Sequence, residues 1–191
     1  MTHKFADLAF TESEKAAQDR YGSRMHNDRL QANFGPNDAL TNKETDFIQR
    51  RDSFYMATVS ETDWPYVQHR GGPPGFLKAL SPNQLAYADF RGNTQMITVG
   101  NVTKNDRCSI LLMDYANRRR LKILGHIRVE SSDAVDSATL KTVELPGYRA
   151  QVERVFFIEV AAFDWNCPQH ITQRYTVSEF NEKFGLEESG E

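Results

Sequence analysis

The chain has 191 residues, with 23 Lys and Arg against 26 Asp and Glu, a net charge of −3 and two cysteines. This length suits one domain, or one domain with an arm, and the acidic balance argues against the basic footprint that nucleic-acid binding needs. The longest apolar runs, residues 110–113 and 155–158, fall far short of the roughly 20 residues of a membrane-spanning helix.

Residues 1–40 are polar and read as a helical arm, in which Thr11-x-x-Glu14 fits a capping box. A second box, Thr41-x-x-Glu44, opens the main domain, residues 41–191. Short strands separated by turn residues follow at residues 54–59, 65–70, 76–80 and 84–90. Residues 94–103 favour a helix. Residues 107–113 form a continuous apolar run, expected to be a strand buried on both faces. Residues 120–130 alternate, with Leu121, Ile123, Gly125, Ile127 and Val129 on one face, and Gly125 is placed to bend a long strand. A polar excursion over 131–143 is expected to be helical, residues 154–164 form another strand, and Thr176-x-x-Glu179 caps a terminal helix. Six or seven strands with hairpin-sized connections predict a mainly β fold with helices, an antiparallel barrel and not a parallel α/β sheet.

Two segments carry chemistry. The first runs from Gln68-His69-Arg70-Gly71-Gly72-Pro73-Pro74-Gly75-Phe76 to Asp89-Phe90-Arg91-Gly92-Asn93-Thr94-Gln95. Its glycines let the backbone approach a ligand, and Arg91, Asn93, Thr94 and Gln95 precede a helix start, a setting that suits a phosphate. Phe76, Tyr87, Phe90 and Trp165 are candidate walls for a flat aromatic group. The second segment, Trp165-Asn166-Cys167-Pro168-Gln169-His170-Ile171, combines an indole, an amide, a thiol and an imidazole. It can cover a flat ligand and bond its edge; a Cys167–His170 nucleophilic pair lacks an orienting third residue. No metal site is expected, since the histidines and cysteines lack ligand spacing. With no secretory pattern in the first residues, the two thiols read as reduced and the protein as cytoplasmic.

The runs 54–59 and 64–76, the Asn93-Thr94-Gln95 and Val99-Gly100-Asn101 segments, and the closing 165–171 resemble the pyridoxamine 5'-phosphate oxidase-like flavoproteins. The resemblance implies a split β-barrel that binds FMN at a homodimer interface. It places Gln68, His69, Arg70 and Gly71 along the flavin, and Asp89, Arg91, Asn93, Thr94 and Gln95 at its ribityl phosphate. Trp165, Gln169 and His170 would reach the isoalloxazine from the other chain, with His170 and Gln169 as candidates for tuning its chemistry. Asn93-Thr94-Gln95 stands where the vitamin-synthesising members carry Ser-Arg-Lys, and the tail lacks their Arg-x-His pattern. The implied function is therefore an FMN-dependent oxidoreductase acting on another small molecule. A non-catalytic flavin carrier or redox sensor, or a relative binding haem or a deazaflavin, is the alternative.

Overall fold

Alternation along residues 119–131 dictates the central strand of the fold. In the computed structural model, which describes residues 3–185 except 34, 93, 146, 149, 150 and 166, Leu121, Ile123, Gly125 and Ile127 are buried while His126 and Arg128 are exposed. This strand is β6 (Arg119–Ser131) in an order that runs α1 (Lys4–Ala9), α2 (Glu12–Arg20), α3 (Arg24–Asn33), α4 (Asn42–Gln49), β1 (Ser53–Val59), β2 (Pro65–Gly71), β3 (Lys78–Ser81), β4 (Gln84–Phe90), α5 (Ile97–Val102), β5 (Arg107–Asp114), β6, α6 (Ser137–Val143), β7 (Val152–Trp165) and α7 (Val177–Phe184). The strands form one sheet in the order β2-β1-β5-β6-β7-β4-β3, with antiparallel pairing throughout.

The sheet rolls on itself. Phe54 of β1, next to one edge, meets Tyr87 of β4, next to the other edge, with ring centroids 5.5 Å apart, and Tyr87 stacks on Phe156 at 5.0 Å. The enclosed core of Phe54, Met56, Leu85, Tyr87, Ile110, Leu112, Ile123 and Phe156 is almost wholly inaccessible. Among the described residues no backbone ladder joins β2 to β4, so the barrel is split along this seam. The tight curl depends on Gly125. The β6–β7 register shifts between Leu124 and Gly125, and a Cβ at Gly125 would lie 2.5 Å from the Glu159 carbonyl oxygen. Only a residue without a side chain admits that approach.

Helices close the ends and one outer face. Thr41 and Glu44 complete the expected capping box of α4, whose Phe47 and Ile48 plug one end of the barrel. Val143 at the end of α6 packs with Val155 and Phe157 on the outside of β7. Helix α1 packs on β7, where Ala6 is buried; α2 and α3 bury no residue. Thr11 precedes α2, but its hydroxyl goes to the Glu14 side chain and not to a backbone N–H.

The mainly β architecture matches the expectation, and two local readings need correction. Residues 107–113 are not buried on both faces: Cys108, Ile110 and Leu112 point inward, while Leu111 and Met113 are half-buried on the outer face. The strand expected at 76–80 begins only at Lys78, because Phe76 and Leu77 are drawn out of the sheet plane into the core. Among the described residues no helix is long and apolar enough to cross a membrane.

Candidate functional site

A polar cleft of about 200 Å³ opens at the seam, where β2, the end of β4 and the start of β7 approach α5. The two-residue period of β2 turns Tyr66, Gln68 and Arg70 toward it and leaves Val67 and His69 exposed on the other side. Arg70 Nη1 donates to Asp89 Oδ1 at 3.1 Å, and Arg154 Nε and Nη2 each lie 2.9 Å from Asp89 Oδ2. Arg154 also pairs with Glu153 at 3.1 Å, and Glu153 lies 3.8 Å from Arg91. Three guanidiniums thus alternate with two carboxylates, leaving one surplus positive charge along the cleft. Arg70 is largely buried, its Nε has no hydrogen-bond partner, and its guanidinium lies 5.3 Å from the Phe156 ring centroid. A buried N–H without an acceptor is costly, and a bound anion would supply one.

The opposite wall is α5 and the turn before it. Thr94 and Met96 both hold left-handed backbone, at φ 54° and 53°, a conformation that costs such residues about 1–2 kcal/mol each. The helix is attached to the sheet by polar pegs. Thr98 donates to Gln68 Oε1 at 2.9 Å and Asn101 donates to Thr58 Oγ1 at 3.0 Å. Thr98, Asn101 and Thr58 are all buried, so these directional bonds set where the wall stands.

The structure therefore brings together Gln68, Arg70, Asp89, Thr94 and Gln95. Asn93 lies outside the described residues. Arg91 sits at the outer end of the charge chain with a side chain 77% exposed. His69 faces away and meets the Tyr55 ring edge-on at 5.6 Å, and Gly71 lies at the strand end. The expected aromatic walls are corrected in part: Phe90 lines the cleft, but Phe76 and Tyr87 are core residues because their rings pack on Phe54 inside the barrel.

Trp165, Gln169 and His170 stand elsewhere. Trp165 ends β7, whose start carries Arg154. Its indole Nε1 donates to Glu44 Oε1 at 2.7 Å and its ring meets Phe47 edge-on at 4.7 Å. Burial pulls the Glu44 carboxyl upward, yet hydrogen bonds from Thr41 and Trp165 hold it below its ordinary value. Gln169 and His170 are exposed in a turn, His170 at φ 63°. Cys167 is exposed and Cys108 is buried, its thiol pushed up to about 12 by desolvation.

Sequence reading missed Tyr66 and Arg154. The available signal was Arg154 itself, a cation at an inward position in the alternation that continues with Phe156 and Ile158. Its partner Asp89 is 65 residues away in sequence, so the pairing was not readable locally.

The model of the family described as pyridoxamine 5'-phosphate oxidase matches residues 40–157. A Lactobacillus delbrueckii protein described as a candidate pyridoxamine 5'-phosphate oxidase has a similar structure, with 17% identity, a TM-score of 0.51, and coverage of 66% of this chain and 94% of that one. The HupZ protein of Group A Streptococcus aligns with 14% identity and a TM-score of 0.53 over 71% of this chain and 99% of its own. At such identities the likeness is one of fold. No curated protein sequence matches the chain.

Proposed function

Because the chain belongs to the pyridoxamine 5'-phosphate oxidase family, we propose that it is a flavoprotein, binding FMN between two copies of itself and acting as an FMN-dependent oxidoreductase on a small molecule other than pyridoxamine phosphate. The observation that carries this reading is the Arg70–Asp89–Arg154 cluster, with its surplus positive charge and the unpartnered, buried Arg70 Nε beside a polar cleft. Such a donor set fits a phosphate dianion. Arg70 and Arg154 would hold it, with Gln68, Thr94, Gln95 and Asn93 supplying neutral contacts and Asp89 keeping both guanidiniums oriented. Arg91 would add long-range attraction from the rim.

The cleft is too small for a whole flavin nucleotide, which supports a site completed by a second subunit. The outer face of β1 and β2 leaves Tyr55 40% and Val67 61% exposed, a surface suited to a partner, and His69 and Gly71 lie where that partner would meet the flavin. Trp165, Gln169 and His170 would come from the other copy, since their own chain holds them at the far end of β7. In this arrangement residues 41–191 carry the site and residues 1–40 form an arm. The bound flavin supplies hydride or electron transfer, and side chains near its ring set the potential by hydrogen bonds and charge; His170 and Gln169 are the candidates.

The test is direct. Purified protein mixed with FMN should retain one flavin per chain, sediment as a dimer, and bleach under anaerobic NADH or NADPH. Absence of FMN binding overturns the reading. Retained FMN that no reductant bleaches makes the protein a carrier instead of an enzyme.

A further inference from the structure

The bond between Thr98 and Gln68 does more than hold α5 to the sheet. A glutamine can turn either end of its amide toward a ligand, the carbonyl as acceptor or the N–H2 as donor. Here the buried Thr98 hydroxyl donates to Gln68 Oε1 at 2.9 Å. That engages the acceptor end and leaves the donor end for the cleft that both residues line.

The charged groups around the cleft have the same polarity. Arg70 of β2 offers its unpartnered Nε, and the Arg154 guanidinium of β7 has donors only. The one carboxylate on the lining is Asp89 of β4. Its Oδ1 is taken by Arg70 at 3.1 Å and its Oδ2 by Arg154 Nε at 2.9 Å. Farther out, Glu153 is paired with Arg154 and Arg91. The hydroxyls of Tyr66 and Thr94, which complete the polar lining with Gln95, can each rotate to donate.

Such a cleft distinguishes charge states of one anion. A phosphate ester loses its second proton near pH 6. The dianion accepts at every terminal oxygen. The monoanion keeps a P–OH that needs an acceptor, and facing a donor it is left unmatched at a cost. We propose that Thr98, acting through Gln68, makes this cleft select the fully ionised phosphate and reject its monoanion. Gln68 touches the anion, and Thr98 is a positioning residue. The proposal rests on the phosphate seat of the flavin reading, and inorganic anions test it apart from the flavin.

The experiment uses the full chain. FMN affinity should be about tenfold weaker at pH 5 than at pH 7, following the phosphate ionisation. Sulfate, a dianion throughout, should compete equally at both. Thr98→Val keeps the shape and removes the donor, so that Gln68 can turn its carbonyl inward to meet the P–OH. The affinity ratio between pH 7 and pH 5 should then shrink to threefold or less, and Thr98→Ser should restore it. A merely displaced wall would weaken FMN at both pH values and leave the ratio alone. Gln68→Glu seats an acceptor in the cleft and should reverse the trend, with tighter binding at pH 5. Equal FMN affinity at pH 5 and pH 7 in the parent, or the parent's ratio in Thr98→Val, overturns the proposal. Melting temperature gives the arm without flavin: sulfate should raise it equally at both pH values, and phosphate more at pH 7. A chain that responds in this way but takes up no FMN upholds the proposal and overturns the flavin reading. One that responds to neither anion overturns the proposal.

Discussion

Arg70 and Asp89 join the two sides of one rolled sheet. Arg70 lies on β2, an edge strand, and Asp89 on β4, next to the opposite edge, yet their side chains meet at 3.1 Å. Side chains do here what a backbone ladder would do in a closed barrel, and the seam they bridge is where the polar cleft opens. The charged pair leaves Arg70 Nε without a partner beside the cleft.

Arg70→Ala should therefore act twice. Asp89 keeps Arg154, so the loss of one charge-assisted bond should cost about 1–3 kcal/mol of stability, read by chemical denaturation. FMN affinity should fall by at least tenfold, read by recovery of free-flavin fluorescence. Unchanged flavin affinity would place the phosphate away from this cluster.

The peg between Asn101 and Thr58 permits a finer test. Thr58→Val keeps the shape but removes the acceptor, leaving the Asn101 amide buried without a partner at a cost of about 1–3 kcal/mol. Thr58→Ser keeps the acceptor. If the peg positions α5, FMN should bind more weakly to the valine variant and normally to the serine variant. Equal affinities in the two would reduce the bond to a purely structural role.

Gly125→Ala should be among the most damaging single substitutions. The added methyl would meet the Glu159 carbonyl at 2.5 Å and Ile158 Cγ2 at 3.0 Å, and backbone cannot step aside as a flexible side chain can. A loss of about 1–3 kcal/mol is the expected scale for forced overpacking. A melting temperature equal to the parent's would show that the bulge relaxes freely.

Acid should loosen the end of the barrel through Glu44. Its carboxyl ordinarily titrates near 4.5 and is held lower in the folded chain, so its contribution is complete above that value and is lost as pH falls through the folded value. Trp165, bonded to Glu44, should report the change in its emission. Glu44→Gln should flatten this part of the stability profile; a profile unchanged below pH 4.5 would assign the acid sensitivity to other carboxylates.

Much of the architecture was legible in the sequence because it depends on local periodicity. Alternation over residues 119–131 marks β6 and its inward face, and Thr41 with Glu44 and Thr176 with Glu179 mark helix starts through bonds spanning three residues. The segments around Arg70 and Asp89 stand out by composition alone, and five of the residues they suggest do meet in one cleft. The outward half of β5 was misread, because an uninterrupted apolar run does not reveal which alternate positions the neighbouring strands cover.

What the sequence by itself determined is the kind of element at each place and the chemical character of two segments, both properties of neighbours along the chain. Only the tertiary structure decided that Arg154 shares Asp89 with Arg70, that Tyr87 belongs to the core and not to a ligand wall, and that Trp165 bonds Glu44 and packs on Phe47 instead of lining the cleft. Those relations depend on how a seven-stranded sheet orders and rolls its strands, which brings residues 65 positions apart into contact and holds others on the same strand far from each other.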